Sequence, residues 1–224
     1  MPMPKGTGQF GIKRLGEYSL KIVAITGKFG SGKSFYSRKI NEKLNSSMVV
    51  NLDSIFFELI NNDQDIKNAI VQKYGENAYN KNNDIDLSVI QEDEESFSVL
   101  FDICKDKVNK KILTIIDKAK EYRVKTLVFD WFMLPKTIAF EMADYRILVN
   151  PNQKDREQSL ISRDSTYTQE VIRKKDKALG IDYMSYHYDE IVSHSYQDKS
   201  DEIVERTIKG ITEIDNRSTD EEGR

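Results

Sequence analysis

A chain of 224 residues is long enough for one α/β domain with a substantial core and a small inserted subdomain. Hydrophobic residues make up 38% and charged residues 32%, with a formal net charge of -3, so the protein is polar and globular and lacks the positive field that holds a polyanion such as DNA. Cys104 is the only cysteine, which excludes an intrachain disulfide and a cysteine-built metal site, and no apolar run reaches membrane-spanning length.

Residues 1–20 collect scattered glycines and two of the four prolines, and read as a flexible leader without the apolar core of a signal peptide. A cytoplasmic location is expected. The run Lys21 to Thr26 has the composition of a buried parallel strand. Directly after it, Gly27-Lys28-Phe29-Gly30-Ser31-Gly32-Lys33-Ser34 fits the phosphate-binding loop pattern. From Phe35 to Leu44, Tyr36, Ile40 and Leu44 share one helical face. Strand, glycine loop and helix is the context that gives this motif its meaning.

The residue types follow from the chemistry. Gly27, Gly30 and Gly32 let the backbone turn tightly against phosphate oxygens. The amides of the loop, from Lys28 and Phe29 through Ser31 to Ser34 and Phe35, point at the anion from the helix N-terminus. Lys33 reaches the β- and γ-phosphates, and the Ser34 hydroxyl ligates Mg²⁺. ATP and Mg²⁺ are the expected ligands, and the motif leaves the phosphoryl acceptor open.

Further along, Ser47 to Asp53 reads as a second strand ending in a carboxylate, and Ser54 to Asn61 as a helix start. Asp63 to Tyr74 is helical and stops at Gly75, and the asparagine-rich Asn77 to Asp86 is a loop. Leu87 to Arg123 carries helical periodicity in one or two helices, with Phe97, Leu100, Phe101, Cys104 and Val108 inward. Cys104 among these neighbours reads as an inert core thiol, and Glu92 to Glu95 as an acidic helix start. Thr126 to Asp130 is a third strand ending in a carboxylate and Ala143 to Asn150 a fourth, closed by Pro151. A helix over Asp155 to Ile161 breaks at Ser165 to Thr168, and a basic helix over Gln169 to Leu179 ends at Gly180. Tyr188 to Ser193 is a fifth strand, Ser200 to Ile211 a last helix, and the charged segment from residue 213 to 224 a disordered tail.

Five short apolar strands alternating with helices predict a five-stranded parallel sheet flanked by helices, the P-loop nucleotide-kinase class of α/β fold. This domain is expected to span residues 21–212. Ligands of such sheets sit at the carboxyl ends of the strands, where the loop, Asp53 and Asp130 all fall.

In these features the chain resembles the dephospho-CoA kinase family, which phosphorylates the ribose 3′-hydroxyl of dephospho-CoA. The loop Ala24 to Ser34 is similar to the family's opening. Val50-Asn51-Leu52-Asp53 resembles its Asp-Ala-Asp segment, with Asn51 in place of the first aspartate. Ile85-Asp86-Leu87 resembles Leu-Asp-Arg, with Leu87 where the family turns an arginine to the acceptor. Asn109-Lys110 stands where the family has His-Pro, and Val128 to Leu134 resembles Val-x-Asp-x-Pro-Leu-Leu. Arg163-Asp164 matches the lid's Arg-Asp pair, while the preceding lid arginine is Ser159 and Arg156 lies a further turn back. His194 replaces an asparagine near the adenine.

The resemblance implies a helical acceptor-binding insertion over about 61–123 and a lid over about 152–180. It also implies Lys33, Asp53 and Arg163 as catalytic residues, with Ser34 and Asp130 toward the metal. Asp53 either takes the proton of the attacking hydroxyl or caps the helix that follows. Asp130 either sits near Mg²⁺ or closes a strand-end turn. Arg163 either neutralises charge on the transferring phosphoryl group or is a solvated helix residue, and Arg156, Arg173 and Lys174 are weaker lid candidates. Trp131 and Phe132 wall the acceptor pocket or pack the core. His187 and His194 lack metal-ligand spacing. The acceptor is a small molecule, dephospho-CoA or else a nucleoside or its monophosphate, with no nucleic acid or membrane as partner and a monomer or small homo-oligomer as the assembly. A non-catalytic ATP-binding module is the remaining reading.

Overall fold

The computed structural model describes residues 18–90, 94–193 and 200–221, without the side chains of residue 200 and of 215–221. Most of the leader, part of the acidic run before Ser96, and His194 lie outside the described residues. The first half of the chain forms β1 (Lys21–Thr26), α1 (Lys33–Lys43), β2 (Ser47–Asn51), α2 (Leu52–Asn62), α3 (Gln64–Tyr74), α4 (Leu87–Ile90) and α5 (Ser96–Glu121). The second half forms β3 (Thr126–Asp130), α6 (Ile138–Glu141), β4 (Tyr145–Val149), α7 (Gln153–Arg163), α8 (Gln169–Ala178), β5 (Glu190–Val192) and α9 (Ser200–Glu221).

All strands pair in parallel, in the order β2-β3-β1-β4-β5. Because strand side chains alternate between faces, β1 feeds two cores. Ile22 and Ala24 join the core built on α2, α3 and α5, while Val23 and Ile25 pack with Tyr36 and Ile40 of α1 and Ile203, Val204 and Ile211 of α9. A sheet covered on both faces is the reason its central strands read as continuous apolar runs. The β1–β3 register sets Ile25 beside Asp130, so the loop leaving β1 and the carboxylate closing β3 emerge at the same sheet edge.

Several boundaries differ from the sequence expectation. β2 stops at Asn51, because the Asn51 side chain accepts from the Asp53 amide at 2.7 Å and caps α2. Asp53 is therefore in the first turn of a helix and not at a strand end. The 87–123 region divides unequally, into a single turn and the 26-residue α5. α9 continues to Glu221, so most of the segment read as a disordered tail is helical backbone. Extending a helix already nucleated by packing costs far less than starting one, which lets it run into polar sequence.

Candidate active site

The loop between β1 and α1 is shaped by three glycines with positive φ, at 147° for Gly27, 68° for Gly30 and 96° for Gly32. Two of them are also forced by close approach. A Cβ on Gly27 would lie 2.2 Å from the Val149 carbonyl oxygen, and one on Gly30 would lie 2.5 Å from Leu160 of α7. Gly32 occupies the N-cap of α1 without a capping side chain, so no side chain competes with an anion for the first-turn amides, although the Phe35 amide donates to the Gly32 carbonyl at 3.0 Å. The Ser31 hydroxyl is buried inside the loop and has no hydrogen-bond partner. An orphaned buried donor beside such amides fits a phosphate cradle.

Lys33 opens α1 and turns inward, with its ammonium donating to the Lys28 carbonyl at 3.1 Å. Burial pulls its pKa below the ordinary lysine value; Asp130 and then Asp53 push it back up, and Arg156 pulls it down again. Asp130 is buried and accepts from the Ser37 hydroxyl at 3.2 Å. Asp53 shows the opposite balance. Burial raises its carboxyl pKa, and Lys33 together with the neighbouring Trp131 indole works against that rise. Since Asn51 provides the cap, the helix does not consume the Asp53 carboxylate, and the capping alternative is overturned.

Arg156 of α7 is a second buried cation of the site, only 2% exposed. Its guanidinium donates to the Phe29 carbonyl at 2.8 Å and to Asp176 Oδ1 of α8 at 3.0 Å, with a second bond to Asp176 Oδ2. Asp176 also pairs with Lys28 at 3.4 Å. One carboxylate thus ties α7 and α8 to the glycine loop. Arg163 lies two helical turns further along α7, in its last turn, and is exposed. Seven residues keep the two arginines near one face but separate them by roughly 10 Å along the axis. The structure sets Arg156 against the loop and leaves Arg163 exposed in the last turn of α7.

Two cavities adjoin the loop. One of about 450 Å³ is lined by Lys28, Arg156, Ser193 and the turn Asn150 to Gln153 after β4. The other, about 290 Å³, is walled by Phe29, Phe57, Leu87, Phe97, Phe132 and Leu179, with Lys33, Asp53 and Lys175 as its polar groups. Phe132 lines this second cavity, while Trp131 is fully buried among Phe56, Phe101 and Phe132. Asn109 serves structure, accepting from the Ile138 amide at 3.2 Å at the start of α6. Ser159, Arg173, Lys174 and His187 are exposed.

The residues read as nucleotide-binding, Gly27 to Phe35, form one continuous loop and helix start, with Lys33, Asp53 and Asp130 around it and Ser34 exposed on the first turn of α1. Lys175 was not among the sequence candidates. Its signal was present in the period, because Ile172, Lys175 and Leu179 recur on one face of α8 and both apolar members are buried.

No cluster of three histidine, cysteine, aspartate or glutamate side chains suited to a metal occurs among the described residues. The oxygen donors at hand, the Ser34 hydroxyl and the Asp130 carboxylate, fit a cation that keeps water and takes its other ligands from substrate phosphates, as Mg²⁺ does. No helix among the described residues is long and apolar enough to cross a membrane.

A sequence family described as dephospho-CoA kinase matches residues 21–181. No curated protein matches the chain. Among solved structures, TT1252 from Thermus thermophilus superposes with a TM-score of 0.64 at 15% identity, covering 86% of this chain and 96% of its own. A dephospho-CoA kinase from Campylobacter jejuni gives 0.47 at 15% identity, covering 87% and 97%. An uncharacterized protein from Eubacterium ventriosum gives 0.44 at 14%, covering 86% and 98%.

Proposed function

The chain belongs to the dephospho-CoA kinase family, and we propose an assignment of its residues to that reaction, transfer of the ATP γ-phosphate to the ribose 3′-hydroxyl of dephospho-CoA. One observation carries the assignment: Asp53 and Lys33 line the same largely apolar cavity beside the glycine loop.

The loop amides and Lys33 hold the β- and γ-phosphates, and the 450 Å³ cavity next to Lys28 and Arg156 takes the nucleoside end of ATP. The acceptor lies in the apolar cavity, with its hydroxyl on Asp53. As the acceptor oxygen bonds to the γ-phosphorus, Asp53 accepts its proton, and the bond from phosphorus to the β-γ bridging oxygen breaks toward ADP. Burial suits Asp53 to this, since a carboxylate with a raised pKa is a stronger base. Lys33 and Arg156 neutralise charge on the transferring group, with Arg163 available at the far end of α7. Mg²⁺ bound near Ser34 and Asp130 would supply charge neutralisation on the β- and γ-oxygens. The apolar walls exclude water, which would otherwise compete as acceptor.

The test is ADP release from ATP·Mg²⁺ with dephospho-CoA beside a panel of nucleosides and nucleoside monophosphates. Release dependent on dephospho-CoA is expected. Turnover confined to a nucleotide would reassign the acceptor, and tight ATP binding without turnover on any of them would make the chain a binding module.

A further inference from the structure

We propose that Lys175 is the specificity residue of the acceptor cavity, binding a phosphate carried by the acceptor itself. The inference rests on the kinase reading and adds which side chain of this protein meets the acceptor's phosphate.

The cations around the loop are not equivalent. Lys28 and Arg156 are both engaged by Asp176. Lys177, on the outer side of α8, pairs with Glu94 at 2.7 Å. Lys33 is oriented to the loop and the ATP phosphates. Lys175 is half-buried, lines the 290 Å³ cavity and has no ion-pair partner among the described residues. Its ammonium lies 5.4 Å from the centre of the Phe29 ring. Burial lowers its pKa, the mark of a cation paying for lost water without a counter-charge.

Such a group is waiting for an anion. The cavity lining holds two ammonium groups and one carboxylate, so it carries a surplus positive charge. A cation over an aromatic face is held more weakly than by a charge-assisted hydrogen bond to phosphate. Lys175 can therefore give up or share the Phe29 face when a phosphate arrives. The lysine is a flexible point charge, suited to a phosphate ester or a diphosphate in several orientations. The phenylalanine walls take the apolar or aromatic remainder of the ligand. Lys175 in this way favours a ribose acceptor that carries a phosphate or diphosphate at its 5′ end, as dephospho-CoA does, over phosphate-free nucleosides.

Steady-state kinetics of Lys175→Met and Lys175→Arg decide it, with dephospho-CoA, adenosine 5′-monophosphate and adenosine as acceptors. Lys175→Met should raise the KM of the phosphate-bearing acceptor about tenfold to a hundredfold, the size of one charge-assisted hydrogen bond. The KM for ATP should move less than about twofold, Lys175→Arg should recover most of the loss, and any residual activity on adenosine should be unchanged. An equal loss on adenosine, or an acceptor KM within about twofold of wild type, overturns the role of Lys175 while leaving the kinase reading intact. If wild type uses adenosine 5′-monophosphate and not dephospho-CoA, the acceptor assignment fails and the Lys175 comparison is decided on the monophosphate. If wild type neither turns over nor binds either phosphate-bearing compound by calorimetry, both fall.

Discussion

Replacing Asp176 with alanine should be among the most damaging single changes outside the hydrophobic core. Among the described residues Asp176 is the only carboxylate on Arg156, whose side chain is 3% exposed against 14% for Asp176 itself. Its loss leaves a buried guanidinium with the Phe29 carbonyl as its one remaining acceptor among the described residues. Breaking a buried pair in this way costs about 3–5 kcal/mol, because the orphaned charge stays out of water. The second partner, Lys28, is 39% exposed at 3.4 Å and adds only about 0–1 kcal/mol. In a domain of this size each kcal/mol moves Tm by roughly 2–4 °C, so Asp176→Ala should melt on the order of 10 °C below wild type. Circular dichroism melts and urea titrations read this directly. The double variant Asp176→Leu with Arg156→Met should regain most of the loss, since it removes both charges. Adding ATP·Mg²⁺ should raise the Tm of Asp176→Ala more than that of wild type, because the nucleotide phosphates then supply the missing counter-charge. A melt of Asp176→Ala within about 2 °C of wild type would refute the buried-pair account.

Lys33→Ala should cut kcat at least about a hundredfold, and Asp53→Asn about 10²–10⁴-fold, with folding retained in both by circular dichroism. Full activity without Lys33 is incompatible with the assignment. The pH profile of kcat/KM should show an acid limb above 3.8, the unperturbed Asp53 value, because burial raises that carboxyl and the base is lost as pH falls through the raised pKa. This limb should vanish in the residual activity of Asp53→Asn. Gly27→Ala should lose nucleotide binding in equilibrium titrations, since its Cβ would collide with the Val149 carbonyl oxygen at 2.2 Å and the φ of 147° suits glycine. Cys104, buried and with its thiol pushed up to about 12 by burial, should react with a thiol reagent only after unfolding in denaturant.

Much of this protein is written in local pattern. The apolar run of β1, the glycine spacing after it and the inward period of α1 and α5 are short-range properties, set by backbone sterics and side-chain alternation. They determine the parallel sheet, the phosphate loop and the place of Asp130 without reference to distant residues. Where the helix after β2 begins was harder to read, because Asn51 and Asp53 are both good caps and only the folded turn shows Asn51 in that role. Tertiary packing decided the rest. Sequence cannot rank Arg156 against Arg163, which share a face of α7; the docking of α7 on the loop buries one and leaves the other in water. Nor does a basic helix reveal which of its lysines is neutralised. Asp176 is spent on α7 and the loop, Lys177 turns to Glu94, and Lys175 is left facing a cavity that exists only once α8, the glycine loop and α2 have packed together. Charge at a site depends on which groups burial brings into contact, and that is a property of three-dimensional packing.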